Sequence, residues 1–171
     1  MFKVLGGVEC PGATASADPW IPLIVSWQVS LLGGPLYLYV TGNDGGYVEL
    51  KVDPNSGALY ALVIVDLPPM TDRTVEIGPL EAGSLSPIFD LGLWEWKVTP
   101  DYKEPAKCDI DATSPLNYST PGDLFALWFS DVPIGRYLAC GDARVGVSPS
   151  DELVNIVVPR PPIIKPELST G

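Results

Sequence analysis

Residues 36–65 decide the fold, and they read LYLYVTGNDGGYVELKVDPNSGALYALVIV. Apolar residues recur at every second position through residues 36–40 and again through 47–52, which is the pattern of half-buried strands. Asn, Asp and Gly fill the breaks between these runs, and they tolerate the backbone angles of tight turns. The stretch therefore predicts three successive antiparallel strands, and we expect the third, residues 59–65, to be buried on both faces.

Strand patterns continue on both sides of this stretch. Residues 24–32 alternate upstream, and residues 93–98 alternate downstream. Residues 124–129 are crowded with aromatic side chains, which favours a strand over a short helix, and residues 143–147 and 153–158 add two more strands. The sequence predicts an all-β protein, either a two-layer β-sandwich or a flattened barrel, with about eight to ten mostly antiparallel strands.

Composition agrees with this fold class and suggests one domain. The 171 residues include 17 glycines and 19 prolines, which opposes a helical bundle, while 46% are hydrophobic, which is too many for a disordered chain. At this length a single domain is the expectation, and we place it at residues 1–160. Residues 161–171 are rich in proline and are expected to form an extended tail.

Two segments of the chain echo each other. Residues 52–59 and 147–153 both join a strand to a proline-containing turn and a leucine, and a β-branched run follows each. Such similarity arises either from a duplicated unit or from ordinary hairpin chemistry. If the unit is duplicated, its halves would be residues 24–68 and 124–160, facing each other as two sheets.

Several common chemistries are missing from the sequence. There is no histidine, which excludes a Ser-His-Asp triad and the zinc sites that need imidazole. No glycine-rich phosphate-binding motif is present either. We therefore expect no enzymatic activity and no cofactor.

The cysteines and paired aspartates give weak signals for metal or redox chemistry. Cys10, Cys108 and Cys140 are widely spaced, so we expect reduced thiols, with one disulfide as the alternative. Asp109 and Asp111 are the best metal candidates, but the positions that would complete a calcium loop hold other residue types. The sequence predicts no metal site.

Hydropathy does not predict a membrane segment. The apolar stretch near the start of the chain is five residues long, and the longest run, residues 59–65, holds seven. A bilayer span needs roughly 18 apolar residues, and a signal sequence about 7–15. We expect a cytoplasmic protein without membrane contact.

The tryptophans have two interpretations. Trp94 and Trp96 alternate on one predicted strand, and with the other three tryptophans they would form either a stacking platform for a sugar or part of the core. Tryptophans also stack on bases, but a net charge of −11 without a basic cluster argues against nucleic acid.

One turn resembles a known motif. Residues 132–137, Val-Pro-Ile-Gly-Arg-Tyr, are similar to the Val-Pro-x-Gly-x-Tyr turn of sandwich domains of the prealbumin-like and collagen-adhesin types. The resemblance implies that Pro133 and Gly135 shape the turn and that Tyr137 enters the core. It implies no function.

The charge favours a binding function. A small acidic β-rich chain without a catalytic motif resembles in type the immunity proteins of bacterial toxin systems. We expect a non-catalytic domain whose acidic loops converge on one rim and bind a cationic protein, for example a nuclease-type toxin. The alternatives are a sugar or small-ligand module that uses the tryptophans, and a carboxylate-dependent hydrolase. The residues expected at the rim are Asp44, Asp101, Glu104, Asp109, Asp111, Asp142, Asp151 and Glu152.

Overall fold

A computed structural model describes the chain over residues 2–31, 34–75, 78–93, 97–99 and 107–161. Within these ranges the chain forms fourteen strands and a short 3-10 helix, Leu91–Leu93, so the all-β prediction is confirmed. The strands are β1 (Val4–Glu9), β2 (Ala13–Ser16), β3 (Leu23–Trp27), β4 (Leu36–Gly42), β5 (Tyr47–Val52), β6 (Leu59–Asp66), β7 (Leu85–Phe89), β8 (Lys97–Thr99), β9 (Lys107–Ser114), β10 (Asn117–Ser119), β11 (Leu124–Trp128), β12 (Arg136–Cys140), β13 (Ala143–Val147) and β14 (Leu153–Pro159).

Two large sheets form the layers of a sandwich. The seven-stranded sheet has the order β2-β3-β6-β5-β4-β9-β8, and the five-stranded sheet has the order β10-β11-β14-β13-β12. Strands β1 and β7 form a small third sheet. Neighbouring strands in these sheets run antiparallel except β4 and β9, which are parallel. The sandwich, rather than the flattened barrel, is thus the architecture of this chain.

Both large sheets contain a five-strand unit with the same order. Strands β2 to β6 are arranged as β2-β3-β6-β5-β4, and strands β10 to β14 as β10-β11-β14-β13-β12. These units span residues 13–66 and 117–159, which begin earlier than the predicted halves. The two echo segments lie in different sheets, as expected, and a shared origin of the units stays a prediction.

The turns of the two echo hairpins also correspond. In each hairpin the register shifts where the strand enters the turn, between Lys51 and Val52 and between Gly146 and Val147. The last residue before the chain returns has a positive φ in both turns, 79° at residue 57 and 67° at residue 151. Both turns therefore join antiparallel strands and end on a residue with positive φ, but the first is one residue longer: the N–H of Gly57 donates to the carbonyl of Asp53, and the N–H of Asp151 donates to the carbonyl of Ser148.

The first part of the connection between the units, residues 70–75 and 78–80, lies on the outer face of the five-stranded sheet. It pairs in parallel with both edge strands of that sheet, with β10 at Met70 and with β12 at Leu80. Between these points Val75 packs on a cluster of buried side chains, and this outer face is therefore covered. The buried members of that cluster are Ala126, Trp128, Val154 and Val157.

The main core lies between the two sheets. Leu38, Leu50 and Leu62 from the seven-stranded sheet join Phe125 and Ile156 from the five-stranded sheet, and none is more than 1% exposed. Fully burying a side chain of this size stabilises the fold by about 1.5–3 kcal/mol. Tyr137, which ends the turn motif at residues 132–137, is also buried, as its resemblance implies, but on the outer face of the five-stranded sheet, because its neighbour Leu138 takes the inward position.

The expectation that residues 59–65 are buried on both faces is wrong. Leu62 and Ile64 enter the core, but Tyr60 and Val63 are half-buried and Val65 is 48% exposed. In the described part of the chain no helix is long and apolar enough to cross a membrane.

Gly57 is a position where an added methyl group will destabilise the protein. A Cβ atom there would collide with the carbonyl oxygen of Phe89, whose N–H donates a 2.8 Å hydrogen bond to the Gly57 carbonyl. Gly122 is a matched control, because its φ of 58° is also positive but a Cβ would meet no atom within 4 Å. We expect Gly122→Ala to lower the free energy of unfolding by about 1 kcal/mol from backbone strain alone, and Gly57→Ala to lower it further. Urea unfolding measures both, and equal losses would contradict the close approach at Gly57.

Candidate binding face

Three tyrosines stack on the outer face of the seven-stranded sheet. Tyr37 and Tyr39 on β4 have ring centroids 6.0 Å apart with planes at 19°, and Tyr39 and Tyr47 on β5 are 6.0 Å apart at 20°. All three side chains are half-buried. Their stacking makes one aromatic surface, which we call the tyrosine row.

The local sequence explains why the tyrosines share this face. Leu36, Leu38 and Val40 take the inward positions of β4, so the residues between them point outward. The turn to β5 uses two glycines with positive φ and sets Tyr47 opposite Thr41, diagonal to Tyr39. One alternating strand and one short turn are therefore enough to align the three rings.

Carboxylates border the tyrosine row on both sides. The register of β4 with β9 pairs Tyr37 with Asp109 and Tyr39 with Asp111, while the register with β5 pairs Tyr39 with Glu49. Asp109 is buried, Glu49 is half-buried and Asp111 is exposed. A negative group therefore lies on either side of the central ring.

Burial and, to a smaller extent, the neighbouring carboxylates raise the pKa values of Tyr39 and Tyr47. Burial, together with the nearby carboxylates of Glu49 and Asp109, raises the pKa of Tyr39 to about 12. Burial also raises the pKa of Tyr47, with further contributions from Glu49 and Asp111. Negative neighbours oppose the formation of a phenolate, so both hydroxyls keep their protons, and remain hydrogen-bond donors, to a higher pH than an ordinary tyrosine does.

A cation already lies against one end of the row. Lys51 is paired with Tyr37 across β4 and β5, and its Nζ lies 5.7 Å from the centre of the Tyr37 ring. This distance is within the range of cation–π attraction.

An exposed tryptophan stands on the same face of the sheet. Trp20, in the connection between β2 and β3, is 88% exposed. The Oδ1 atom of Asp18 accepts hydrogen bonds from the N–H groups of Trp20 and Ile21, at 2.8 and 2.7 Å, which fixes the turn that presents the indole. Beside it runs an open groove of about 560 Å³, lined in part by Tyr60 and Val63.

The opposite sheet shows a cation on an aromatic ring in a covered site. Arg73, on the connection that crosses that sheet, places its guanidinium 3.7 Å from the centre of the Trp128 ring, and its Nη1 donates a 3.0 Å hydrogen bond to the carbonyl of Ser130. Burial lowers the pKa of Arg73, and Asp131 partly opposes this shift. A cavity of about 440 Å³ adjoins the stacked pair.

Three of the residues expected at an acidic rim lie in the seven-stranded sheet. Asp109 and Asp111 border the tyrosine row from β9, and Asp44 lies in the turn between β4 and β5. Asp101 and Glu104 lie outside the described residues.

The other three lie in the five-stranded sheet. Asp142 is in the turn before β13, whereas Asp151 and Glu152 are in the turn after it. Asp142 and the other two acidic residues therefore lie at opposite ends of this five-residue strand. Asp151 is also ion-paired with Arg136 at 3.0 Å. A role for all eight residues in binding stays a prediction.

The three tryptophans that the structure describes differ in their exposure to solvent. Trp27 and Trp128 are each 3% exposed and belong to the interior, while Trp20 is exposed. Trp94 and Trp96 lie outside the described residues. The tyrosine row was not expected from the sequence. Its partial signal there is that Tyr37 and Tyr39 occupy the outward positions of a strand with aliphatic inward positions, whereas Tyr47 and the carboxylates join them only through strand pairing.

Metal chemistry finds no further support in the structure. Among the residues that the structure describes, no group of three or more acidic or cysteine side chains is placed to hold a metal ion. Comparison with known protein families found no matching family model, and comparison with curated proteins found no match.

We expect Glu49→Gln to lower the pKa of both Tyr39 and Tyr47, because it removes a negative charge that opposes their ionisation. An alkaline titration followed by NMR of ¹³C-labelled tyrosine rings measures the change, and Tyr39→Phe assigns the signal. Asp123→Asn is the control, since Asp123 is exposed in the turn before β11 of the other sheet. Unchanged titrations in Glu49→Gln would contradict the electrostatic coupling.

The raised pKa of Tyr39 in the wild-type protein affects the free energy of unfolding at high pH. The folded state holds the Tyr39 proton up to a pKa of about 12, whereas an unfolded tyrosine releases it near pH 10. The contribution of this group to stability is therefore complete below about pH 10 and is lost as the pH rises towards 12.

Proposed function

We propose that this protein is a non-catalytic binding domain that holds a cationic protein partner against the tyrosine row. The observation that carries the proposal is a row of stacked, half-buried tyrosine rings with carboxylates on both sides. Tyrosine supplies a large, rigid contact area and is enriched among the residues that dominate binding energy at protein interfaces. A sheet face is also broad and open, which suits a protein surface.

Charge selects the class of partner. The chain carries a net charge of −11, and Glu49 and Asp111 place part of it at the tyrosine row. An arginine or lysine of a partner would gain an ion pair with a carboxylate and a cation–π contact with a ring at the same place. The remaining acidic residues would attract such a partner over a longer range and speed its association.

Two contacts within the chain support this chemistry. Lys51 lies over Tyr37, and Arg73 lies over Trp128, so both outer faces hold a cation against an aromatic ring. The partner would extend this arrangement along the tyrosine row. In a bacterial toxin system the same binding would block a basic nuclease, and we propose an immunity role of this kind as the biological setting.

The test uses a short arginine-rich peptide as the probe. We expect calorimetry to show binding at low ionic strength that weakens as salt rises past about 0.15 M, where the Debye length is roughly 8 Å. Removing the central ring with Tyr39→Ala is expected to weaken binding roughly tenfold or more, since truncated anchors commonly cost that much. Asp111→Asn is expected to weaken it at low salt.

Asp123→Asn is the matched control for the charge change. It removes one exposed carboxylate from the other sheet and is expected to leave peptide affinity nearly unchanged. If Asp123→Asn weakens binding as much as Asp111→Asn, or if Tyr39→Ala has no effect, the attraction is general and the proposed face is wrong. A glutamate-rich peptide that binds equally well would also overturn the proposal.

A second candidate function is the binding of a sugar, and Trp20 favours it. Its indole is almost fully exposed beside the groove that Tyr60 and Val63 line, and exposed aromatic rings stack on the apolar faces of sugars. We expect oligosaccharide binding, if this function holds, to shift the tryptophan fluorescence of the wild type but not of Trp20→Ala. Trp20→Phe keeps a ring and should retain affinity by calorimetry. An unchanged spectrum and no heat across a panel of neutral oligosaccharides would eliminate this candidate.

A further inference from the structure

Two cysteines that are far apart in the chain meet in the interior. Cys10 follows β1 and Cys140 ends β12, and 130 positions separate them in the sequence. Their Sγ atoms lie 2.8 Å apart, and neither residue is more than 1% exposed. Non-bonded carbon atoms pack at about 3.5–4.0 Å, so this approach is closer than ordinary packing.

Hydrogen bonds that do not involve either sulfur hold the two backbones in place. The N–H of Cys10 donates to the carbonyl of Ser84 at 2.9 Å, and the Ser84 hydroxyl donates to the carbonyl of Cys10 at 2.6 Å. Beside them, the N–H of Asp142 donates to the carbonyl of Ala13 at 3.0 Å, which fixes the turn after β12. The meeting of the sulfurs is thus a consequence of the fold.

We infer that Cys10 and Cys140 form a disulfide bond that joins the two layers of the sandwich. Cys10 leads into β2 of the seven-stranded sheet, and Cys140 belongs to the five-stranded sheet. An S–S bond is about 2.0 Å long, so the sulfurs need to move less than an ångström to form it. The sequence leaves open whether the cysteines are all reduced or form one disulfide. The inferred bond is that disulfide, and Cys108 is the remaining thiol.

An external disulfide such as oxidised glutathione supplies the oxidation. The thiolate of one cysteine attacks a sulfur of the external disulfide and releases one glutathione thiolate, which takes a proton. The second cysteine loses its proton and attacks the mixed disulfide, which forms the protein S–S bond and releases the second glutathione. Two protein thiols become one disulfide, and one external disulfide becomes two thiols.

Burial determines when this bond forms. Burial raises the pKa of the Cys10 thiol, and the neighbouring Cys140 raises it further. Because the thiolate is the attacking species, the folded, reduced protein will oxidise slowly at neutral pH. The bond therefore forms before the sandwich closes over Cys10, or when it opens locally.

The bond also bears on the predicted location. Disulfides persist in oxidising compartments and are rare in the cytoplasm. A disulfide in the protein isolated from its natural source would therefore contradict the cytoplasmic expectation.

Peptide mapping of the wild-type chain tests the inference directly. Trypsin cleavage after lysine and arginine places the three cysteines on separate peptides, residues 4–51, 108–136 and 137–144. After refolding with oxidised glutathione, we expect peptide 4–51 to be linked to peptide 137–144 and the intact mass to fall by about 2 Da, the two hydrogens lost on oxidation. If all three cysteines alkylate after denaturation, or if the link includes peptide 108–136, the inference is wrong.

Melting temperatures give an independent readout. We expect the oxidised wild type and oxidised Cys108→Ser to melt roughly 5–15 °C above their reduced forms, because a cross-link over so long a loop restricts the unfolded chain. Cys10→Ser and Cys140→Ser should show no such difference. An oxidant effect that disappears in Cys108→Ser would overturn the assignment, and the peptide map decides the matter if a variant fails to fold.

Discussion

Strands of both large sheets give alternate side chains to the core between the sheets, and the rest of the structure depends on this constraint. In β4 it sends Leu38 inward and leaves Tyr39 outside, and in β5 it does the same with Leu50 and Glu49. A slip of one residue in any register would exchange the two faces, so the buried leucines fix the position of the outer side chains. The tyrosine row is therefore held in place by the core behind it.

The two outer faces of the sandwich differ in how much of their surface is exposed to solvent. The crossing connection covers the outer face of the five-stranded sheet, with Arg73 stacked on Trp128 and Val75 packed on the apolar cluster. The seven-stranded sheet carries half-buried tyrosines, and on the same face about half of the Val65 surface is exposed. Two units with the same strand order thus have outer faces of different chemistry, and the proposed function belongs to the more exposed one.

Local patterns predicted much of the fold but little of the candidate site. Alternation and turn residues identified most strands, including β11, because both signals lie within a few residues. The parallel pairing of β4 with β9 and the meeting of Cys10 with Cys140 depend on contacts across the whole chain, which no local pattern encodes. The sequence does not mark Tyr39 as a site residue, because tyrosine is common in strands. Its stacked and charged neighbours become apparent only once the strands are paired.

The segment at Phe2 and Val4 is hydrogen-bonded to residues 151–153, close to the last strand of the sandwich. The N–H of Val4 donates to the carbonyl of Asp151, and the N–H of Leu153 donates to the carbonyl of Phe2, each at 2.8 Å, while β1 itself pairs with β7. During synthesis the segment that holds Phe2 and Val4 leaves the ribosome long before the residues that bind it exist. Strand β1 can pair with β7 as soon as residues 85–89 have been made, but its other edge, at Phe2 and Val4, stays unpaired until the last hairpin exists. Pairing at that edge then closes a very long loop. Throughout this interval the free backbone groups of that edge are open to pairing with another chain, so a newly made molecule is exposed to aggregation at this edge until residues 151–153 cover it.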